Sequence, residues 1–239
     1  MYDELWPGGP KFQQSGQAFQ LGTDSVLLAH FTNTARVHRI LDLGCGGGVL
    51  TVLLAYKAPQ AQCIGIEIQP ESAEVCRANM AANGHDPEGI LLGDLREYRE
   101  LFPAGSFDLV VSNPPYFTQE SGYSAPEDVR AIARDERNCT LSDLCAAAKY
   151  VLKWGGKFTV VHRPERLSEL LCTMNRNGLE PKRLRIVQYQ AHTAPNLVLV
   201  EARRGGKPGL SIEPPLILAE ADGSDTEEIQ KIYHRGAYI

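Results

Sequence analysis

Several features that would assign this chain to a common class are missing. No stretch approaches the run of about 18 consecutive apolar residues that spans a bilayer. The opening Met1-Tyr2-Asp3-Glu4-Leu5 is acidic and lacks the basic and apolar regions of a secretion signal, so the expected site of action is the cytoplasm. The six cysteines, at 45, 63, 76, 139, 145 and 172, show no Cys-x-x-Cys spacing. Three of them sit in apolar patterns of buried strand or helix, which argues for reduced thiols used as small apolar side chains and against a zinc site. Positive charge is not in excess: 24 Lys and Arg stand against 29 Asp and Glu, a net charge of −5. A polyanionic partner would therefore have to use a local basic patch. Also absent are a Walker-type Gly-Lys-Ser/Thr, a metal-spaced His cluster, and a Ser-His-acid or Cys-His pair at the strand ends. The Gly-x-Gly-x-x-Gly of a dinucleotide site does not occur in its usual placement, which disfavours a nicotinamide dehydrogenase.

What remains is an ordinary globular composition, 43% hydrophobic and 22% charged, over 239 residues. Apolar blocks alternate with helical patterns. Strands are expected at 39–43, 61–68, 89–92, 107–112 and 157–161, followed by two strand-like runs at 183–190 and 196–201 joined by a short linker, an antiparallel pair at the sheet edge. Helices are expected after residue 23, over 49–55, 70–82, 95–101, 141–152 and 165–175, and in an amphipathic 226–233. Thr23 or Asp24 can cap the first of these, and Thr140 the one at 141. Residues 1–35 read as an extension that packs on the core and can act as a lid, and 36–239 as the main domain, with no internal boundary. The long polar stretch 117–139 is a candidate substrate lid.

Four consecutive strands end in chemistry. After the first come Asp42 and the glycines Gly44 and Gly46 to Gly48, where a backbone without side chains can approach a ligand. Glu67 ends the second, about 20 residues further on, placed to accept both hydroxyls of a ribose. Asp94 ends the third, able to accept from an adenine amino group or to cap the next helix. Asn113-Pro114-Pro115-Tyr116 ends the fourth, because consecutive prolines cannot continue a central ladder. Four such endings on one edge describe a ligand crevice for an adenosine-bearing cofactor and a second substrate. Arg163, at the end of the fifth strand, could meet a phosphate. Residues 176–207 hold Arg176, Lys182, Arg183, Arg185, Arg203, Arg204 and Lys207 against only Glu180 and Glu201, a candidate basic patch.

Asp42-x-Gly44-x-Gly46, Glu67 and Asp94 resemble the class I methyltransferases that use S-adenosylmethionine. Asn113-Pro114-Pro115-Tyr116 resembles the signature of those acting on a planar amide or exocyclic amino nitrogen. Together with Gly22-Thr23-Asp24-Ser25-Val26-Leu27-Leu28-Ala29, Glu67-Ile68-Gln69, Ala131-Ile132-Ala133-Arg134, His162-Arg163-Pro164 and Pro214-Pro215-Leu216, the chain is similar to the bacterial tRNA1(Val) adenine-37 N6-methyltransferase family. The resemblance implies an α/β Rossmann-like fold with a seven-stranded, mostly parallel sheet, an antiparallel edge pair and helices on both faces. It implies S-adenosylmethionine held by Gly22, Thr23, Asp24, Asp42, Gly44, Gly46, Glu67, Ile68, Asp94 and Asn113. Catalysis falls to Asn113, Pro114 and Tyr116. The tRNA, through its anticodon region, would meet Pro115, Phe117, Arg134, Arg163, Lys182, Arg183 and Arg185. No metal and no membrane are implied, and a monomer or weak dimer is expected. The same clamp also serves methylation of a protein glutamine, as in the release-factor enzymes, or of DNA adenine. Only about 35 residues precede the first strand here, where those release-factor enzymes carry a helical domain. A non-catalytic RNA-binding protein would not need the full Asp42, Glu67, Asn113 and Tyr116 set.

Overall fold

The computed structural model of the chain describes residues 2–13, 22–114 and 139–234. A hairpin of β1 (Tyr2–Glu4) and β2 (Lys11–Gln13) precedes α1 (Thr23–Phe31). Strand and helix then alternate: β3 (Arg39–Leu43), α2 (Val49–Lys57), β4 (Gln62–Glu67), α3 (Pro70–Ala82), β5 (Ile90–Leu92), α4 (Tyr98–Leu101) and β6 (Phe107–Ser112). Beyond residue 139 follow α5 (Leu141–Val151), β7 (Leu152–His162), α6 (Leu167–Arg176), β8 (Leu179–Gln188), β9 (Pro195–Arg204), β10 (Ser211–Ile212), β11 (Leu216–Ile217) and α7 (Glu227–Ile232).

The central sheet has the order β10-β8-β9-β7-β6-β3-β4-β5, with β11 also on β8. Nine strands replace the seven expected. The two extra ones are two-residue segments of the tail that pair in parallel with the outer side of β8. The expected antiparallel pair is present as β8 and β9, but β10 and β11 cover its outer strand. The strands from β5 to β7 are parallel to one another, and β9 runs against both its neighbours.

The inner strands read as unbroken apolar runs because both faces of the sheet are covered. Ile40, Leu109 and Val111 enter one core with α1, α2 and α3. Their neighbours Leu41 and Val110 enter the other with α5 and α6. The N-terminal hairpin is tied to α3 by Asn79 and Asn83, whose side-chain oxygens accept from the Gln13 and Lys11 amides at 2.7 and 2.8 Å. The far end of α1 is held by Lys57, whose Nζ donates to the carbonyls of Ala29, His30 and Thr32 at 2.8–2.9 Å. Among the described residues no helix is long and apolar enough to cross a membrane.

From β3 the chain steps outward through β4 and β5, then returns to place β6 on the other side of β3. That reversal opens a crevice at the carboxyl ends of β3 and β6. Ser112 ties the two ends together, its Oγ donating to the Leu43 carbonyl at 2.7 Å.

Candidate active site

The turn from β3 into α2 depends on backbone conformations that favour glycine. Gly44, Gly46 and Gly48 have φ of 76°, 52° and 86°. At Gly48 the space is closed as well, since a Cβ would lie 2.5 Å from the Cys76 sulfur on α3. Glu67, at the end of β4, reaches across to this turn. Its Oε2 accepts from the Gly46 amide and its Oε1 from the Gln69 amide, both at 2.8 Å. Each carboxylate oxygen keeps a second lone pair, so this bracing leaves acceptor capacity for ribose hydroxyls.

Asp42 sits behind the turn and is 1% exposed. One carboxylate oxygen accepts from Thr51 Oγ1 of α2 at 2.6 Å, and the other is buried with no partner among the described residues. Burial pushes the acid up to about 7, with the Glu67 charge adding to the rise and the Thr51 hydrogen bonds opposing it. Asp94 caps the turn after β5, accepting from the Arg96 amide at 2.9 Å and pairing with the Arg96 guanidinium. Those hydrogen bonds hold its carboxyl below the usual range. An adenine amino group would have to share Asp94 with Arg96.

Gly44, Glu67, Ile68, Asp94, Ser112 and Pro114 line a cavity of about 520 Å³ together with Thr140, Ser142, Arg166 and Glu169. The volume lies within the range of about 300–1,000 Å³ usual for small-molecule sites. An adenosine-bearing cofactor fits these groups: a glycine turn, a strand-end carboxylate with lone pairs to spare, and a buried acid with an unpartnered oxygen behind it. Asp42 and Gly46 brace this wall and do not form it. Thr140 caps α5 as expected, in a reciprocal capping box with Asp143. Among the described residues no His, Cys, Asp and Glu cluster could hold a metal.

Asn113 follows β6 directly, and its Nδ2 donates to Ser25 Oγ at 2.9 Å. That contact brings α1 to the strand end. Neither Thr23 nor Asp24 caps the helix: Gly22 is the N-cap, and none of the three lines the cavity. Pro115, Tyr116, Phe117, Arg134 and the expected lid segment up to residue 138 lie outside the described residues.

Two arginines of the expected basic patch are engaged within the chain. Arg183 pairs with Glu201 at 3.0 Å and Glu213 at 2.7 Å and lies over the Phe31 ring. Arg185 grips Glu228 with two bonds of 2.6 and 2.8 Å. Both are committed to intramolecular acids and tie the edge strands and tail together. Arg203 and Arg204 lie at the amino edge of the parallel strands: Arg203 stands opposite Lys157, whereas Val198, opposite His162, marks the ligand edge. Arg163 is on that ligand edge, bonding the Asn196 carbonyl at 3.2 Å. Lys182 donates to the Lys207 carbonyl at 3.0 Å. Ser25, Thr51 and the Arg166–Glu169 pair were not singled out from sequence: the first two acquire their place through contacts with other elements, and the pair, though local at i,i+3, reaches the site only because its helix packs beside the crevice.

Residues 15–176 match the methyltransferase small domain family. Two tRNA1(Val) (adenine(37)-N6)-methyltransferases are similar over most of the chain. That of Porphyromonas gingivalis is 34% identical over 197 residues, 80% of this chain and 76% of its own. That of Tolumonas auensis is 31% identical over 212 residues, 88% and 86%. Among solved structures, a predicted O-methyltransferase of Agrobacterium tumefaciens superposes with a TM-score of 0.70 at 22% identity, over 90% of this chain and 98% of its own. TrmN of Thermus thermophilus gives 0.52 at 19%, over 74% and 48%. These two likenesses carry the class I methyltransferase fold alone. With a glycine turn, strand-end acids and an Asn-Pro at the crevice all in place, the identity to the curated relatives identifies the chain as a member of the tRNA1(Val) (adenine(37)-N6)-methyltransferase family.

Proposed function

We propose that the protein transfers a methyl group from S-adenosylmethionine to the exocyclic N6 of an adenine in tRNA, at position 37 of tRNA1(Val) as in its relatives. The observation that carries this reading is the position of Asn113 and Pro114, which follow β6 where it meets the cavity walled by Gly44, Glu67 and Asp94. Bound S-adenosylmethionine supplies an electrophilic methyl group. Glu67 takes the ribose hydroxyls, Asp94 the adenine amino group, and Asp42 offers negative charge behind the glycine turn. Gly22, Thr23 and Asp24 close the site from the start of α1.

An adenine amino nitrogen is a poor nucleophile because its lone pair is delocalised into the ring. Accepting its two hydrogens at the Asn113 side-chain oxygen and the Pro114 carbonyl pulls the nitrogen toward tetrahedral geometry and aims the lone pair. No strong general base is needed, since the proton leaves once the nitrogen has become cationic. Pro115 stiffens the clamp and Tyr116 stacks on the flipped base, a contact worth roughly 1–3 kcal/mol in single-stranded binding. Phe117 and Arg134 complete the base and backbone contacts.

Arg163 on the ligand edge meets the RNA backbone around the anticodon; Lys182 lies toward the amino edge with Arg203 and could meet only a more distant part of the tRNA, and Arg183 and Arg185 are set aside for their ion pairs. Residues 36–239 form the catalytic domain, with 1–35 packed against it, and the enzyme works in the cytoplasm. The test is incubation with labelled S-adenosylmethionine and, in parallel, total tRNA, genomic DNA or protein extract from a strain lacking the enzyme, followed by nucleoside and amino-acid analysis. N6-methyladenosine at a single tRNA position is expected. Label in a protein glutamine or in DNA, with none in tRNA, would overturn the assignment.

A further inference from the structure

We infer that Ser25, in the first turn of α1, is a positioning residue for Asn113, so that the N-terminal helix takes part in the chemistry of a strand end 88 residues away. The inference rests on the clamp proposed above. An asparagine amide has two orientations of nearly equal shape and opposite chemistry. With its oxygen toward the substrate it accepts from the adenine amino group; reversed, it sets N–H donors against N–H donors. In the productive orientation the Nδ2 on the far side needs an acceptor of its own. Ser25 Oγ is that acceptor, 2.9 Å from Nδ2. A hydroxyl accepts as readily as it donates, so it can receive this hydrogen while the amide oxygen is turned to the base.

The surroundings hold Ser25 in place from both ends of the helix. Its residue is 9% exposed, and its amide donates to the Gly22 carbonyl at 3.2 Å. The other end of α1 is pinned by the three Lys57 hydrogen bonds already described. Asn113 is also restrained by its own strand, because Ser112 is bonded to Leu43. The two residues therefore meet through fixed elements. Without the hydroxyl, the amide loses the Nδ2 hydrogen bond that favours this orientation.

The experiment measures Ser25→Ala, Ser25→Thr and Asn113→Ala alone and Ser25→Ala combined with Asn113→Ala, using methyl transfer to unmodified tRNA and binding of S-adenosylhomocysteine by calorimetry. Alanine is the better helix former, so the variant keeps α1 intact. Expected for Ser25→Ala is a kcat about tenfold lower, the effect of removing one part-buried amide hydrogen bond that orients the clamp. The KM for tRNA and the S-adenosylhomocysteine affinity stay within twofold. Ser25→Thr restores most of the rate, and in the Asn113→Ala background Ser25→Ala changes the residual rate by less than twofold. Unchanged kcat in Ser25→Ala, or an equal loss with and without Asn113, would overturn the inference while leaving the clamp standing. Full turnover by Asn113→Ala would instead bring down the clamp itself.

Discussion

Replacing Asp42 by asparagine makes this domain more stable at alkaline pH relative to the parent, although it removes an acid from the cofactor site. The carboxyl is completely buried and titrates at about 7 instead of 3.8. Because the folded value lies above the unfolded one, the unfolded chain gives up its proton first. Between about pH 4 and pH 7 the native state holds a proton that the unfolded state has lost, so raising the pH through this window lowers stability, and the loss is complete above it. A rise from 3.8 to about 7 corresponds to about 4 kcal/mol. The part of it that lies above pH 5 amounts to about 3 kcal/mol, which the parent loses by pH 8 and an asparagine cannot lose. Asparagine keeps an oxygen for Thr51 but buries an amide donor, at a cost of about 1–3 kcal/mol that does not vary with pH. For a domain of this size about 3 kcal/mol corresponds to roughly 6–12 °C in Tm. Thermal unfolding of both proteins without added cofactor, at pH 5 and pH 8, should show the Tm difference moving by about that much in favour of Asp42→Asn. A difference that stays constant across this range would mean that Asp42 is ionised in the native state throughout, and the reasoning about its burial would fail.

Glu67→Gln leaves one of the Gly46 and Gln69 amides facing an NH2 group, so S-adenosylhomocysteine affinity should fall about ten- to a hundredfold by calorimetry. Arg185→Ala breaks a two-bond grip on Glu228 and should cost about 1–3 kcal/mol in urea unfolding while changing the KM for tRNA less than twofold; a large KM effect would return Arg185 to the RNA surface. Lys57→Met strips two α1 carbonyls and that of the C-cap Thr32 of their donor and should lower stability by roughly 2–4 kcal/mol.

The parts of this fold that can be read from sequence are those decided locally. Apolar blocks that stop at Gly44, Glu67, Gly93 and Asn113 announce strands and their carboxyl ends, and the structure brings those four ends to one crevice. What sequence reading misses is decided by pairing across distance. Two residues each, at 211–212 and 216–217, carry no periodicity; they become strands because β8 offers an open edge. Asp42 sits at a strand end where a ligand acid belongs, but the distance that governs it is the 2.6 Å to Thr51, set by how α2 folds back on β3.

Arg183 and Arg185 show where the limit lies. Lys182, Arg183 and Arg185 sit close together in a stretch poor in acids, which reads as a nucleic-acid patch. One partner was within reach, since an antiparallel pair turning near residue 192 sets Arg183 beside Glu201, and the observed register does so. Opposite charges directly across such a pair attract, so hairpin register alone argues for an internal bridge. Glu213 and Glu228 were beyond reach, because the tail that carries them is positioned only by its contacts with the finished sheet. A cluster of cations in sequence therefore marks a binding surface only after the acids on neighbouring strands have been matched to it. In this chain that matching assigns Arg183 and Arg185 to the acids of the edge strands and tail, while Arg163 follows a strand end on the same sheet edge as Asn113.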